Sequence, residues 1–109
     1  MEEMNKVKTK VFSLLGLATR AGRIVSGEFA TEKAVKSFKA ALVLVAEDAS
    51  DNTKKLFTDK CSFYETPCYM FGTKQELGHA MGKEMRASLA VTDEGFADAI
   101  CKWLVGTQK

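Results

Sequence analysis

A run of six apolar residues, Ala41-Leu42-Val43-Leu44-Val45-Ala46, constrains the fold more than any other feature of this sequence. The run has the length of a strand, and the polar stretch at 47–51 breaks it. An uninterrupted apolar strand needs cover on both faces, because it has no polar side that water can contact. The run therefore predicts a central strand between two layers of helices.

Helical and strand patterns alternate on both sides of this run, which is typical of a layered α/β domain. The first helix is predicted at about 5–20, with Gly22 as a left-handed residue just past its end. The second and third are predicted at 27–38, capped by Ser26, and at 51–61, capped by Ser50. The fourth is predicted at 74–81 after a capping box over 73–76, and the last reaches Val105 after a cap at Thr92 or Asp93. The other strands are predicted at 24–25, 67–71 and 88–91. We expect a three-layer α/β/α sandwich with a small mixed four-stranded sheet, in one domain over residues 1–109.

Composition and charge favour a water-soluble protein with one basic region. Apolar residues make up 46% of the chain, and no apolar run approaches the roughly 20 residues that a membrane helix needs. The first residues are too polar and acidic for a signal peptide, so we expect a cytoplasmic protein. Residues 1–39 carry eight Lys and Arg against four Glu, and residues 40–109 carry eight against ten Asp and Glu. A basic first third is typical of a chain that meets a polyanion, although a solvated lysine-rich helix has the same composition.

Residues suited to catalysis or metal binding are few and poorly spaced. The three cysteines form no Cys-x-x-Cys pair, and there is one histidine. We therefore expect thiols that pack as small apolar groups, no metal site, no cofactor and no enzymatic activity. Glu47 and Asp48 are adjacent residues that leave a strand in diverging directions, which favours a loop role over a magnesium site.

The start of the second predicted helix carries the pattern that is most informative about function. At about 100° per residue, one face holds Phe29, Glu32, Lys33, Lys36 and Lys39. The core-facing side is predicted to hold Ala30, Ala34 and Phe38. A ring beside lysines gives bases a stacking surface and phosphates a cationic one, and the helix start at Gly27 offers free backbone N–H groups. The alternative is that Phe29 packs under the loop at 20–23.

Several spaced motifs in this chain resemble one known family. They are the segment 26–35, the apolar strand with its turn at 41–50, the Pro-aromatic strand at 66–70, and the signature Lys-x-x-Leu-Gly-x-Ala-x-Gly at 74–82. Together they resemble the kink-turn-binding ribosomal proteins, which comprise the archaeal large-subunit protein seven-Ae, its thirty-e relatives and their bacterial homologues. The segments 14–23 and 83–86 resemble the bacterial YlxQ-like branch of this family.

The resemblance implies an RNA-binding surface, and this chain departs from the family pattern at one place in that surface. In the family, a Gly-x-Asn-Glu-x-x-Lys segment reads the tandem sheared G·A pairs of a kink-turn. Gly27 and Lys33 match the glycine and the lysine, whereas Phe29-Ala30 replaces the Asn-Glu pair and cannot supply its hydrogen bonds to base edges. The turn at 47–48 matches a family loop beside the RNA. The loop at 82–88 matches the loop that covers a flipped-out nucleotide, and it is more basic here.

These observations predict a single ribosomal-protein-like domain that binds structured RNA without catalysis. The RNA is expected to be kink-turn-like or ribosomal, bound through the start of the second helix and the loop before the last strand. The predicted RNA-binding residues are Gly27, Glu28, Phe29, Lys33, Lys36, Glu47, Asp48, Lys74, Lys83, Met85 and Arg86. We expect a monomer that can associate with the ribosome. The alternative is a protein-interaction adaptor on the same fold with little RNA specificity.

Overall fold

The computed structural model describes residues 2–107, which form five helices around four strands. In chain order the elements are α1 (Glu2–Arg20), β1 (Ile24–Ser26), α2 (Glu28–Lys36), β2 (Leu42–Val45), α3 (Asp51–Phe63), β3 (Cys68–Met70), α4 (Lys74–Ala80), β4 (Ser88–Val91) and α5 (Glu94–Thr107). The predicted order of elements is confirmed, and β4 has the predicted bounds.

The sheet is mixed, with strand order β1-β4-β2-β3. Strands β2 and β3 run parallel, and β4 runs antiparallel to both of its neighbours. The central strands β2 and β4 are buried along their whole length. Helix α2 packs against α3, and α1 packs against α4 and α5, so that helices cover the sheet in two groups. The predicted three-layer sandwich is confirmed, and the apolar run at 41–46 contains its central strand.

The core fills the space between the sheet and both helix layers. Each large helix contributes at least one fully buried side chain, among them Val11, Leu15, Phe57, Leu77, Ile100 and Leu104. The opposite faces of these helices are mostly polar and exposed, with Leu17 and Phe63 as exposed apolar side chains. Within residues 2–107, no helix is both long enough and apolar enough to cross a membrane.

Four helices end in the same hydrogen-bonded turn, in which one residue has a left-handed backbone. After α1 and α4 this residue is Gly22 and Gly82, with φ of 71° and 70°, and Gly22 is the predicted stop. After α2 and α3 it is Phe38 and Glu65, with φ of 60° and 56°. A side chain with a Cβ is strained in this region by about 1 kcal/mol, which glycine avoids. The ends of α2 and α3 are therefore strained where the ends of α1 and α4 are not.

Two predictions for α2 are wrong. Ser26 does not cap the helix, because it belongs to β1; the N-cap is Gly27, with φ of 92° and no side-chain bond. Phe38 does not face the core, because the helix ends at Lys36 and the left-handed turn leaves the ring 77% exposed. The buried residues of α2 are instead Thr31, Ala34 and Val35.

Two buried hydroxyl groups, on α2 and on β4, lack hydrogen-bond partners among the described residues. Thr31 and Ser88 are fully buried, and neither side-chain oxygen makes a hydrogen bond with a described residue. The hydroxyl of Thr53 makes a useful comparison, because it accepts from Ser50 Oγ at 3.0 Å and donates to Glu28 Oε1 at 3.4 Å. A buried hydroxyl without a partner costs about 1–3 kcal/mol in lost hydration.

Replacing Thr31 with valine is expected to stabilise the fold by about 1 kcal/mol, because valine keeps the shape and removes the unpaired hydroxyl. The free energy of unfolding in urea measures this change. Thr53→Val is the matched control, and it should not stabilise the protein, since it removes a hydroxyl that is bonded. A Thr31→Val protein that is less stable than the wild type would contradict the prediction.

Candidate nucleic-acid interface

Four chain segments meet at the end of the sheet where β1, β2 and β3 end and β4 begins. They are the residues 26–29 at the start of α2, the turn at 47–48, the residues 72–74 at the start of α4, and the loop at 82–88. We call this surface the rim. It joins parts of the chain that lie up to about sixty residues apart, and hydrogen bonds between the segments fix its shape.

Bonds between the start of α2 and the loop at 82–88 form one side of the rim. The Gly27 N–H donates to the Ser88 carbonyl oxygen at 3.0 Å. The Arg86 Nε–H donates to Ser26 Oγ at 3.2 Å. Ser26 therefore positions Arg86 rather than capping the helix, a role that sequence reasoning missed.

Bonds through the start of α4 form the other side of the rim. The Arg86 N–H donates to the Lys74 carbonyl oxygen at 3.0 Å, and the Lys74 N–H donates to Asp48 Oδ1 at 2.8 Å. The Glu47 N–H donates to the Gly72 carbonyl oxygen at 2.7 Å. The Asp48 carboxylate is thus engaged with the start of α4, where a negative charge also stabilises the helix dipole.

The start of α2 presents unbonded donors next to an exposed ring. With glycine at the N-cap, no side chain caps the helix, and the N–H groups of residues 28–30 have no acceptor within the described chain. Unbonded N–H groups at a helix start carry partial positive charge and attract anions. Phe29 is 80% exposed, so the alternative that it packs under the loop at 20–23 is wrong. The Glu28 carboxylate accepts from the Thr53 hydroxyl, which directs it toward α3.

The cations on and beside the rim differ in exposure and in whether a carboxylate pairs with them. Lys33 and Lys83 are exposed, Lys74 and Arg86 are half-buried, and none of these four has a carboxylate within 4.0 Å in the described part of the chain. Lys36 is paired with Glu32 at 3.6 Å, which reduces its attraction for a phosphate. The four unpaired cations therefore keep their full attraction for a phosphate.

Arg86 also fixes the loop in which it lies. Its Nη1 donates to the carbonyl oxygens of Met85 at 3.0 Å and Glu84 at 3.4 Å, in addition to the Nε bond to Ser26. The planar guanidinium can bond in several directions at once and still keep its charge. Met85 is held at the exposed side of this loop with 62% of its surface open, as an apolar contact surface.

Gly78 allows the loop at 82–88 to lie directly against α4. A Cβ at this position would overlap the Glu84 carbonyl group and would also touch Met85 at 3.1 Å. The Lys83 N–H donates to the Gly78 carbonyl oxygen at 2.8 Å. The start of the loop is therefore bonded to the same turn of α4 against which its later residues pack. The signal for this glycine in the sequence was its place inside an otherwise helical segment.

The structure brings most of the predicted residues to one surface. Those on the rim are Gly27, Glu28, Phe29, Glu47, Asp48, Lys74, Lys83, Met85 and Arg86. Lys33 and Lys36 lie on α2, about one and two turns beyond Phe29, and the three line one shallow groove. The carboxylates of Glu28 and Asp48 bond within the protein, which leaves the backbone and the cations as the groups that are free to bind.

The cysteines and acidic residues form no candidate metal site in the described chain. No group of three His, Cys, Asp or Glu side chains in residues 2–107 is arranged to hold a metal ion. A hydrogen bond from Cys61 lowers the pKa of Cys68, whereas that same bond and burial raise the pKa of Cys61. Burial also raises the pKa of Cys101. All three thiols are free, and none lies on the rim.

Comparison with known proteins finds relatives over most of the chain. The family model described as Ribosomal protein L7Ae/L30e/S12e/Gadd45 matches residues 9–101. The chain is 47% identical over 93 residues to the RNA-binding protein YlxQ of Bacillus subtilis (strain 168), covering 85% of this chain and 93% of that protein. It is 36% identical over 92 residues to the large ribosomal subunit protein eL30 of Neurospora crassa, covering 79% and 81%. A solved structure of a protein with unknown function from Bacillus halodurans C has a TM-score of 0.86 and 40% identity, covering 88% of this chain and 97% of that one.

Proposed function

Because this chain belongs to the Ribosomal protein L7Ae/L30e/S12e/Gadd45 family, we propose that it binds structured RNA through the rim. Membership confirms the resemblance that its motifs predict, including the likeness to the YlxQ branch. The relatives named above are an RNA-binding protein and a ribosomal protein, and neither is an enzyme. A binding role without catalysis follows for this chain.

The observation that carries the proposal is the coincidence of three kinds of group on one surface. The start of α2 supplies unbonded N–H groups, four cations without carboxylate partners lie on the rim or one helical turn from it, and Phe29 and Met85 are exposed apolar groups. Phosphates bind to the first two, and unstacked bases stack on aromatic rings and pack against apolar side chains. A surface with all three suits a folded RNA better than it suits a regular duplex, whose bases are stacked inside.

The bound RNA is proposed to be recognised by its bent shape. Phe29-Ala30 lacks polar side-chain atoms, so the hydrogen bonds that an Asn-Glu pair would make to base edges are absent. Contacts from main-chain donors and lysines read the path of the backbone and carry little sequence information. We propose a kink-turn-like or ribosomal RNA as the ligand, because one relative is a ribosomal protein of the large subunit. The protein would act as a cytoplasmic monomer that associates with the ribosome.

Titration of the protein with two RNAs at several salt concentrations tests the proposal. One RNA is a hairpin with tandem sheared G·A pairs beside a bulge, and the other is a regular duplex of equal length. We expect the hairpin to bind more tightly, with a slope of about −3 in log affinity against log salt, as four phosphate contacts would give. Lys33→Ala should make the salt slope shallower by about the contribution of one phosphate contact. Phe29→Ala should weaken binding about ten-fold and leave the salt slope unchanged.

The control variant is Lys102→Ala, which removes an exposed lysine from α5 in the other helix layer. It lowers the net charge by the same amount as Lys33→Ala and should leave binding nearly unchanged. Equal effects of the two lysine variants would show that total charge matters and the rim does not. If Lys33→Ala and Phe29→Ala both bind like the wild type, the rim is not the site. Absence of any RNA binding would favour the protein-interaction adaptor.

A further inference from the structure

A second surface with an exposed ring lies at the opposite end of the sheet from the rim. There β1 and β2 begin and β4 ends, and the turns after α1, α2 and β4 border an open depression. The charged and aromatic side chains that line it are those of Arg23, Phe38, Lys39 and Glu94. We call this depression the distal pocket. Nothing in the proposed function uses it.

Phe38 lines the distal pocket with a strained backbone and an exposed ring. Its φ of 60° is a conformation that glycine adopts without strain, and the 77% exposed ring adds little apolar burial to offset that strain. The ring makes an edge contact with Tyr64, with centroids 5.4 Å apart and planes at 74°. That contact limits the orientations of the ring while most of its surface stays open to solvent.

Two unpaired cations line the same pocket as this ring. Arg23 and Lys39 are exposed, and neither has a carboxylate within 4.0 Å among residues 2–107. The backbone of Arg23 is fixed on both sides, since its N–H donates to Ala18 and its carbonyl oxygen accepts from Thr92, each at 2.8 Å. Glu94 is the one carboxylate that lines the pocket, and it can accept a bond from a base amino group or a ribose hydroxyl.

We propose that the distal pocket binds one unpaired nucleotide of an RNA strand that continues from the rim along α2. The base would stack on Phe38, and its flanking phosphates would contact Arg23 and Lys39. This inference rests on the proposed function, because the strand must first be anchored at the rim.

The outer face of α2 provides the path between the two surfaces. The helix has nine residues and is therefore about 14 Å long. From the rim outward this face carries Phe29, then Lys33 and Lys36, and ends at the turn that holds Phe38. The charges along this path are mostly positive, with Glu32 as the exception, so a phosphate chain lies on it with little repulsion. This face joins the distal pocket to the rim, so an RNA strand anchored at the rim reaches Arg23 and Lys39 with its phosphates, which favours RNA over a protein segment as the occupant.

The test compares the hairpin RNA described above with the same hairpin carrying a single-stranded tail of about eight nucleotides at its 5′ or its 3′ end. For the wild type, one of the tails should tighten binding about ten-fold, which is the size of one stacked base with its phosphate contacts. Phe38→Gly should remove this increase and leave binding of the untailed hairpin unchanged. Phe38→Trp should keep the increase, because tryptophan also stacks on bases.

Glu65→Gly is the matched control for Phe38→Gly. It places glycine in the equivalent left-handed turn after α3, where no ring is lost from the pocket. Both glycine variants should unfold near the wild-type temperature, because relief of the left-handed strain offsets the greater entropy of the unfolded chain; unfolding at this temperature would show that a binding defect of Phe38→Gly does not come from misfolding. Glu65→Gly should keep the full effect of the tail.

The outcomes separate this inference from the proposed function. If the hairpin binds but Phe38→Gly keeps the effect of the tail, the distal pocket is not an RNA subsite. That result would favour a protein partner as the group that contacts Phe38. If only a free oligouridylate binds, and Phe38→Gly abolishes that binding, the pocket binds RNA, but the rim does not and the inferred continuation of a strand along α2 is wrong. If neither the hairpin nor the oligouridylate binds, both proposals are wrong.

Discussion

Replacing Gly78 with alanine is expected to lower the free energy of unfolding by about 3 kcal/mol. The added methyl group would overlap the Glu84 carbonyl, which is backbone and cannot rotate away as a side chain does. The loop at 82–88 would have to leave the surface of α4, and its bond from the Lys83 N–H to the Gly78 carbonyl would break. Urea unfolding measures the loss of stability. Titration with the hairpin RNA should show weaker binding, because the loop is part of the rim.

Gly16→Ala is the matched control for this prediction. Gly16 is also a helical glycine that faces another helix, but a Cβ there would lie 3.4 Å from the Ala80 carbonyl oxygen, an ordinary contact. Alanine in a helix interior is favoured over glycine by about 1 kcal/mol, so this variant should be slightly more stable than the wild type. A Gly78→Ala protein as stable as Gly16→Ala would show that the loop is not packed against α4 as described.

Replacing Arg86 with alanine is expected to weaken hairpin binding about a hundred-fold, or about 2.7 kcal/mol. One part of this effect is the loss of a phosphate contact, and the other is the cost of ordering a loop that has lost its internal bonds. Arg86→Lys should recover only a small part, because an ammonium on a flexible stem cannot replace the bonds to Ser26 and to the Met85 and Glu84 carbonyls together.

Lys83→Ala provides the comparison for Arg86, since it removes a charge from the same loop without removing those bonds. Lys83→Ala should weaken binding only several-fold and make the salt slope shallower by about the contribution of one phosphate contact. Titration of all three variants at several salt concentrations separates charge from loop order. If Arg86→Lys binds RNA like the wild type, the charge alone matters and the positioning role of Arg86 is wrong.

The elements that follow local rules were predictable from the sequence. The apolar strand at 41–46 needs cover on both faces wherever it lies, and it is the buried centre of the sheet. The capping box at 73–76 forms both of its bonds, and Ser50 accepts from the Thr53 N–H as predicted. Asp93 accepts from the Phe96 N–H, which decides between the two predicted caps of the last helix. Each of these interactions spans three or four residues, so the pattern itself contains both partners.

The wrong predictions concern residues whose place depends on distant parts of the chain. Ser26 has the composition of a cap, but it pairs with Leu89 in the sheet and accepts from Arg86, sixty residues away. Phe38 continues the apolar spacing of α2, yet the helix ends two residues earlier. Periodicity does not show where a helix stops when the left-handed residue is not glycine.

The candidate site was predictable as a set of residues and not as a geometry. Family motifs indicated which positions to consider, and the helical spacing placed Phe29 and Lys33 on one outward face. The pairing of Lys36 with Glu32 and the direction of the Glu28 carboxylate depend on rotamers and neighbours that no motif contains. The close approach of the loop to Gly78 likewise appears only when α4 and the loop are folded together.

The strand order has a consequence for the newly made chain. Strand β4, the last to be synthesised, lies between β1 and β2, and β1 has no other neighbour in the sheet. Until residues 88–91 have left the ribosome, β1 has no strand to pair with, and the Gly27 N–H at the start of α2 lacks its acceptor, the Ser88 carbonyl oxygen. The rim is therefore completed only after β4 has been made, and a nascent chain without β4 lacks this surface as a whole.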